Sequence, residues 1–361
     1  MADRRVLAVI TARPSYARVA TVITAAKTTP GLDLQVIATA SALLPQYGAV
    51  ADALDDTAER VETTVGTTLP AMVTNTTAVA EAMVSVFRRR TPDAVVTIAD
   101  RHETLGTAMA AAYLNIPLIH LQAGERTGSI DDKVRDAVTA LADVKLCATQ
   151  AAADRVSGVK TGCPSIDLVE AIWHQRPVNP YAYGGLGPQH DLSRGYRVGL
   201  FHPVTTEVDE AHDQMRRVLH GLPVFDLPWL WIWPGLDAGT DAVSKALREH
   251  REEAPGFACH YFRHLPAVPF LWLLSRARVL VGNSSVGIRE CSAMGLPVVN
   301  IGSRQQGRER GPNVVDVPVD AGAIRKGIDT AEAMRPYPVA LYGDGHSGPR
   351  IARLLADGEL R

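Results

Sequence analysis

Short apolar runs alternate with longer amphipathic stretches along almost the whole chain. In the first half the runs fall at 6–11, 34–38, 94–98, 117–121 and 144–148. They carry little polar interruption, which predicts strands buried on both faces. Alanine-rich stretches at 104–114 and 132–142 predict helices between them. The second half repeats the pattern, with apolar runs at 198–201, 229–233, 257–262, 279–281 and 298–301. Strands alternating with helices in this way predict an α/β fold whose parallel sheets are covered on both sides. Residues 176–195 break the alternation: they are dense in Pro and Gly and have no hydrophobic period. The chain therefore divides into a Rossmann-like domain over 1–178, a linker over 179–195 and a second Rossmann-like domain over 196–345. Residues 346–361 form a glycine-led amphipathic helix for which the N-terminal domain offers a docking face. The strand ends of the two sheets are expected to face a central cleft that holds the ligand.

Length and charge narrow the function. A chain of 361 residues suits two domains, and 46% hydrophobic with 21% charged residues is an ordinary globular balance. A formal net charge of −2 gives no drive toward nucleic acid or an anionic membrane. Arg88, Arg89 and Arg90, just ahead of Pro92, read as a solvated helix end. The N-terminal apolar run is broken by Arg13 and Pro14, too soon for a signal sequence or a membrane span, so a cytoplasmic protein is expected. Cys147, Cys163, Cys259 and Cys291 stand far apart without metal-ligand spacing, and read as buried free thiols. No metal or cofactor site is expected.

The chemistry gathers at strand ends. Val281-Gly282-Asn283-Ser284-Ser285 leads from a strand into a helix that carries Glu290. Free N–H groups of a first helical turn, with two hydroxyls beside them, suit a phosphate, and Glu290 lies within reach of ribose hydroxyls. An ordinary helix cap accounts for Asn and Ser there as well. The next strand ends in a second loop that bears Arg304 and Arg308. In the first half, Arg13 and Arg18 follow the first strand and could clamp an anion, although surface solvation explains Arg18 equally well. Asp100 and Arg101 close the strand at 94–98 and read as a site pair, an ion pair or a cap. A polar loop from His120 to Ser129 then opens a helix with Asp131 and Asp132; Asp131 and Arg135 are spaced as a surface pair. His202 closes the first strand of the second half, beside Pro203.

These segments together resemble the hydrolysing UDP-N-acetylglucosamine 2-epimerases of sialic acid pathways, and the epimerase part of the bifunctional epimerase/kinase, over nearly the whole chain. The matching pieces are Arg13 with Tyr16, Asp100-Arg101, Gly124-Glu125 with Gly128, Ile130-Asp131-Asp132 with Arg135, and Gly162-Cys163-Pro164-Ser165 with Asp167. In the second half they are His202-Pro203-Val204-Thr205-Thr206, Asp237-Ala238-Gly239, Asn283-Ser284-Ser285 with Glu290, Arg304-Gln305 with Gly307-Arg308, and Tyr342-Gly343-Asp344-Gly345. The resemblance implies a glycosyltransferase-B-like fold, the nucleotide held by the C-terminal half and the sugar facing the N-terminal half. It implies cleavage of the anomeric C1–O bond with loss of the C2 proton, then addition of water. On that basis Asp100, Asp131, His202, Gln122 and Arg135 form the catalytic set. Arg13, Arg101, His264, Asn283, Ser284, Ser285, Glu290 and Arg304 form the binding set. Family members often self-associate, so a homodimer or homotetramer is expected, with a nucleotide sugar or sugar (pyro)phosphate as substrate.

The departures from the family pattern fall in the N-terminal half. The His-Xaa-Glu-Gly-Gly motif is His120-Leu121-Gln122-Ala123-Gly124 here, and an amide cannot accept and return a proton as a carboxylate does. His-Gly-Asp-Arg becomes Ile98-Ala99-Asp100-Arg101, the His after the helix Arg is Asp136, and a loop His is Ala42. Three readings follow: a hydrolysing epimerase releasing UDP and the 2-epimer; a diverged enzyme on another activated sugar, hydrolysing it or transferring it to an acceptor such as a base nitrogen; or a non-catalytic nucleotide-sugar binder.

Overall fold

The computed structural model describes residues 3–45, 48 and 50–358, and the chain forms two compact units. Unit 1 comprises Met1–Arg126, Ile130–Glu170 and Tyr342–Arg361; unit 2 comprises Thr127–Ser129 and Ala171–Leu341.

Unit 1 is built on seven strands: β1 (Arg4–Ile10), β2 (Leu32–Thr39), β3 (Glu59–Val61), β4 (Ala94–Ile98), β5 (Leu118–Leu121), β6 (Val144–Cys147) and β7 (Val159–Lys160). They pair in the order β3-β2-β1-β4-β5-β6-β7, all parallel. Strand β1 shows why its sequence is apolar without alternation. Val6, Ala8 and Ile10 enter one core with Val22 and Ile351, while Leu7 and Val9 enter another with Val79, Met83 and Phe87. A strand sandwiched between helical layers has no wet face to fill with polar residues. The chain runs outward from β1 in one direction and from β4 in the other, so the order reverses between these two strands. In such sheets ligands bind beyond the carboxyl ends at the reversal.

Unit 2 repeats the plan with β8 (Arg197–Leu200), β9 (Trp229–Ile232), β10 (Cys259–Phe262), β11 (Leu280–Gly282), β12 (Val298–Ile301) and β13 (Val314–Val317). The order is β10-β9-β8-β11-β12-β13, again all parallel, with the reversal between β8 and β11. Trp229 and Trp231 anchor its core with Leu247, Val281 and Ile324. Residues 179–195 lie along β10, where Leu186 and Tyr261 exchange main-chain hydrogen bonds of 2.8 Å.

All ten apolar runs fall in strands. The additional strands β3, β7 and β13 lie at sheet edges or next to them, where few of their side chains are fully buried. The helices 104–114 and 132–142 are observed as His102–Tyr113 and Asp131–Leu141. The arginine cluster ends the helix Leu69–Arg90, and Arg89 and Arg90 both pair with Glu59. All four cysteines are buried free thiols. Among the described residues no helix is long and apolar enough to cross a membrane, and no three His, Cys, Asp or Glu side chains cluster to hold a metal ion.

Candidate functional site

In each unit the polar strand ends gather at the reversal of strand order. In unit 1, β1 leads into the short helix Arg13–Ala17, and burial pushes the Arg13 guanidinium down to about 10. Neighbouring β4 leads through Ala99 to Asp100, which is 8% exposed. The Asp100 carboxylate accepts from Nη2 of Arg135, and its other oxygen lies 3.6 Å from Nη1 of Arg18. Arg135 is not a surface partner of Asp131: at 1% exposure it is among the most buried side chains of the molecule. Its Nη1 donates to the Asp132 carboxylate at 2.7 Å and to the Glu125 carbonyl at 3.0 Å. Burial alone would lower the Arg135 pKa, but Asp100, Glu125, Asp131 and Asp132 more than reverse the effect and raise it. Arg18 is likewise buried, so solvation is not its role.

Asp131 opens the helix that carries Arg135. Arg101 precedes the helix His102–Tyr113 and donates twice, at 3.0 Å each, to the fully buried Glu103. Burial opposes ionisation of Glu103, yet Arg101 and His102 together hold its pKa below the usual carboxylate value. Arg101 thus pairs with a carboxylate of its own helix, and its side chain makes no cap hydrogen bond.

Gln122 follows β5 with a positive φ of 65°. Its N–H donates to Leu146 O at 2.7 Å, and its side-chain Nε2 donates to Cys163 Sγ at 2.8 Å. Its Oε1 is buried and accepts no hydrogen bond. His120 beside it is fully buried: Nε2 donates to Ala99 O at 2.8 Å, which leaves Nδ1 to accept from Thr139 Oγ1 at 3.0 Å. Burial pushes its pKa down to about 4, so this ring is neutral and acts as a brace beneath the Asp100 turn. Of the departing positions, Asp136 pairs with Arg126 at the surface, and Ala42 is fully buried in the core of unit 1.

Unit 2 places His202 after β8 and Asn283 after β11. The Asn283 side chain bridges the two strand ends: its Oδ1 accepts from His202 N at 2.7 Å and its Nδ2 donates to His202 O at 2.8 Å. Asn283 O accepts from Arg304 Nη1 at 3.3 Å and from Gln305 Nε2 at 3.0 Å. The loops after β8, β11 and β12 are thereby tied at one residue. Ser284 caps the short helix Ser285–Ile288, its hydroxyl accepting from Val286 N at 3.5 Å, and Ser285 is the first helical residue. The expected single helix is two: Arg289, with ψ −72°, breaks it before Glu290–Met294. Glu290 therefore also begins a helix, and its Oε2 is buried without a hydrogen-bond partner, as is Gln305 Oε1. His264 lies beyond β10, which β9 and β8 separate from β11, so it stands at the far end of the same carboxyl edge. Arg18, Glu125, Asp132 and Gln305 complete the two clusters; all four lie in the segments singled out from sequence, but nothing in the spacing assigns their partners.

The fold and these clusters define a doubly wound α/β protein of two units, with clustered polar side chains at both switch points. The sequence model described as "UDP-N-acetylglucosamine 2-epimerase" matches residues 24–356. The chain belongs to the UDP-N-acetylglucosamine 2-epimerase family, and it is an enzyme of that type. It is 33% identical over 282 residues to the UDP-N,N'-diacetylbacillosamine 2-epimerase (hydrolyzing) of Legionella pneumophila, covering 75% of this chain and 72% of that one. It is 27% identical over 354 residues to the polysialic acid biosynthesis protein P7 of Escherichia coli, covering 91% and 86%. In fold it matches the crystal structure of UDP-GlcNAc 2-epimerase from Neisseria meningitidis bound to UDP-GlcNAc, with a TM-score of 0.80 at 16% identity over 98% of this chain and 99% of that one.

Proposed function

We propose that the chain is a hydrolysing 2-epimerase that cleaves the anomeric C1–O bond of a UDP-linked 2-acetamido sugar and releases UDP and the 2-epimer. The observation that carries this reading, in a member of this family, is the pairing of the buried Arg135 with both Asp100 and Asp132 at the first switch point. Loss of a proton from C2 with departure of the nucleotide needs positioned carboxylates, and a water-poor setting strengthens their action. Arg135 fixes two of those carboxylates at once, so their geometry is set before substrate arrives. The amides and hydroxyls that open at Ser284 and Ser285 suit the diphosphate, whose charge grows as the C1–O bond breaks. His202, braced by Asn283, is assigned to the leaving phosphate. Arg13, Glu290 and Arg304 are assigned to the nucleotide. His264 joins this binding set, and Arg101 acts by holding the helix behind Asp100. The protein would act in solution as a homo-oligomer, without a cofactor.

Gln122 favours a second reading, in which the C1–O bond is broken without chemistry at C2. Incubation with UDP-N-acetylglucosamine in D₂O separates the two. Free UDP together with deuterium at C2 of the released sugar is the expected result. UDP release with C2 unlabelled establishes the second reading, and binding without turnover excludes both.

A further inference from the structure

The loops after β8, β11 and β12 meet at Asn283, and a single joint lets a loop pivot about it. A second joint lies just past the His202 segment. Glu207 has both carboxylate oxygens engaged: Oε1 accepts from Ser303 Oγ at 2.7 Å, and Oε2 accepts from Gln214 Nε2 at 2.6 Å. Gln214 is a firm anchor. It is 3% exposed on the helix Ala211–Gly221, whose Ala211, Met215, Val218 and Leu219 pack in the core of unit 2. Glu207 itself turns out of the 3-10 segment Thr205–Glu210, with φ −128° and ψ 31°, and its N–H donates to Val204 O at 2.8 Å.

Ser303 opens the turn that carries Arg304 and Gln305, and its carbonyl accepts from Gln306 N at 2.9 Å. The bonds close a ring. Asn283 joins His202 to Gln305, the chain runs from Gln305 back to Ser303, Ser303 joins Glu207, and the chain returns to His202. Asn283 and Gln305, on the side of the ring away from Glu207, are 1% and 2% exposed. Held at a buried asparagine on one side and at a packed helix on the other, the loops of His202 and Arg304 keep one separation.

We propose that Glu207 is a positioning residue, which fixes His202 and Arg304 around the diphosphate of the bound nucleotide by joining Gln214 to Ser303. Charge that grows on a departing phosphate is stabilised best by groups already in place. With the ring opened, only the fraction of molecules with aligned loops binds at full strength, and apparent affinity falls by that fraction. The role follows from the shape of the side chain. A glutamine at 207 can accept from Ser303 Oγ and, once the Gln214 amide turns over, donate to Gln214 Oε1, which is buried without a hydrogen-bond partner.

This inference rests on the reading of unit 2 as the nucleotide side, and the experiment keeps the two apart. Wild type, Glu207→Ala, Glu207→Gln, Ser303→Ala and the double variant Glu207→Ala/Ser303→Ala are compared. UDP affinity, UDP release from UDP-N-acetylglucosamine and C2 deuterium in D₂O are measured well below each melting midpoint, so that lost stability alone leaves them unchanged. Glu207→Ala is expected to bind UDP roughly tenfold more weakly or worse, the equivalent of one lost hydrogen bond to a charged group, and to release it from the sugar more slowly by a similar factor. Glu207→Gln should recover most of both. The double variant should match Glu207→Ala within twofold, because two partners in one bond do not add. A fall below threefold in folded Glu207→Ala overturns the inference. Additive losses in the double variant also overturn it, as does a Glu207→Gln no better than Glu207→Ala. Should Glu207→Ala not fold, Ser303→Ala decides: a fall in UDP affinity of threefold or more supports the inference, and a smaller one refutes it. A wild type that binds no UDP overturns the nucleotide reading and this inference together. A wild type that binds UDP, loses that affinity in Glu207→Ala and leaves C2 unlabelled supports the inference and overturns the 2-epimerase reading alone.

Discussion

At the scale of single residues, the buried groups at the first switch point divide into those that work by charge and those that work by shape. His120 belongs to the second kind. Both ring nitrogens are spent on Ala99 O and Thr139 Oγ1, and burial holds the pKa near 4 against an ordinary value of 6.5. The sign follows from which state takes the proton first. Above about pH 6.5 the ring is neutral folded and unfolded, and its contribution is complete. As pH falls through that value the unfolded chain protonates while the folded one does not, so stability drops until pH reaches about 4 and then levels. Each unit is worth roughly 1.4 kcal/mol, so about 2 kcal/mol should vanish between pH 7 and pH 5. Urea denaturation of wild type and His120→Gln at the two values measures it. The variant should lack that part of the loss, and equal losses in the two proteins would show that the ring is not buried neutral.

At the scale of elements, the switch points depend on how closely neighbouring strands approach. Gly282 ends β11 with φ +153°, and a Cβ there would lie 1.8 Å from Leu200 O at the end of β8. The main chain of unit 2 closes at that point, which lets Asn283 reach across to His202. Gly282→Ala should therefore cost at least about 2 kcal/mol through overpacking. It should also weaken UDP binding, because Ser284 and Ser285 follow directly. A thermal melt and a UDP titration check both, and unchanged affinity would detach the turn from the ligand. This level was the most legible from sequence. The buried stretch Val6–Ile10 of β1 and the whole of β9 announce themselves because burial on both faces leaves no polar residue in them, while the edge strand β7 does not, since both its residues are exposed. The site was legible as positions and not as pairings. Asp100 and Arg135 both stand out as strand-end or helix-start residues, but 35 positions separate them and only the packed sheet brings them together. Arg18 is the clearest miss: nothing local separates a buried arginine from a solvated one when its partner comes from another strand.

At the scale of the molecule, the chain crosses from unit 1 to unit 2 and returns, and the return is fastened by one carboxylate. Asp167 accepts from the N–H groups of Ser347 at 2.9 Å and Gly348 at 2.6 Å, and from Thr21 Oγ1 at 2.8 Å. It thus stands at the N-terminus of the helix Ser347–Asp357, where a negative charge meets unpaired amides and the positive end of the helix dipole. The helix it holds places Ile351, Ala352 and Leu355 in the same core as Val6 and Val22, although more than three hundred residues separate them in sequence. Two fully buried aliphatic side chains of this kind contribute roughly 3–6 kcal/mol, a large share of a domain's usual 5–15 kcal/mol. Unit 2 has its own core around Trp229 and Trp231. Asp167→Ala should therefore loosen one unit and spare the other. The substitution strands two amides and frees the returning helix, at about 1–3 kcal/mol. Hydrogen exchange reads the two units separately: amides in β1 and β2 should lose protection, while those in β8 and β9 keep theirs. Equal loss in both sheets would mean that the two cores melt as one, and the fastening at Asp167 would then belong to the whole chain and not to the first unit.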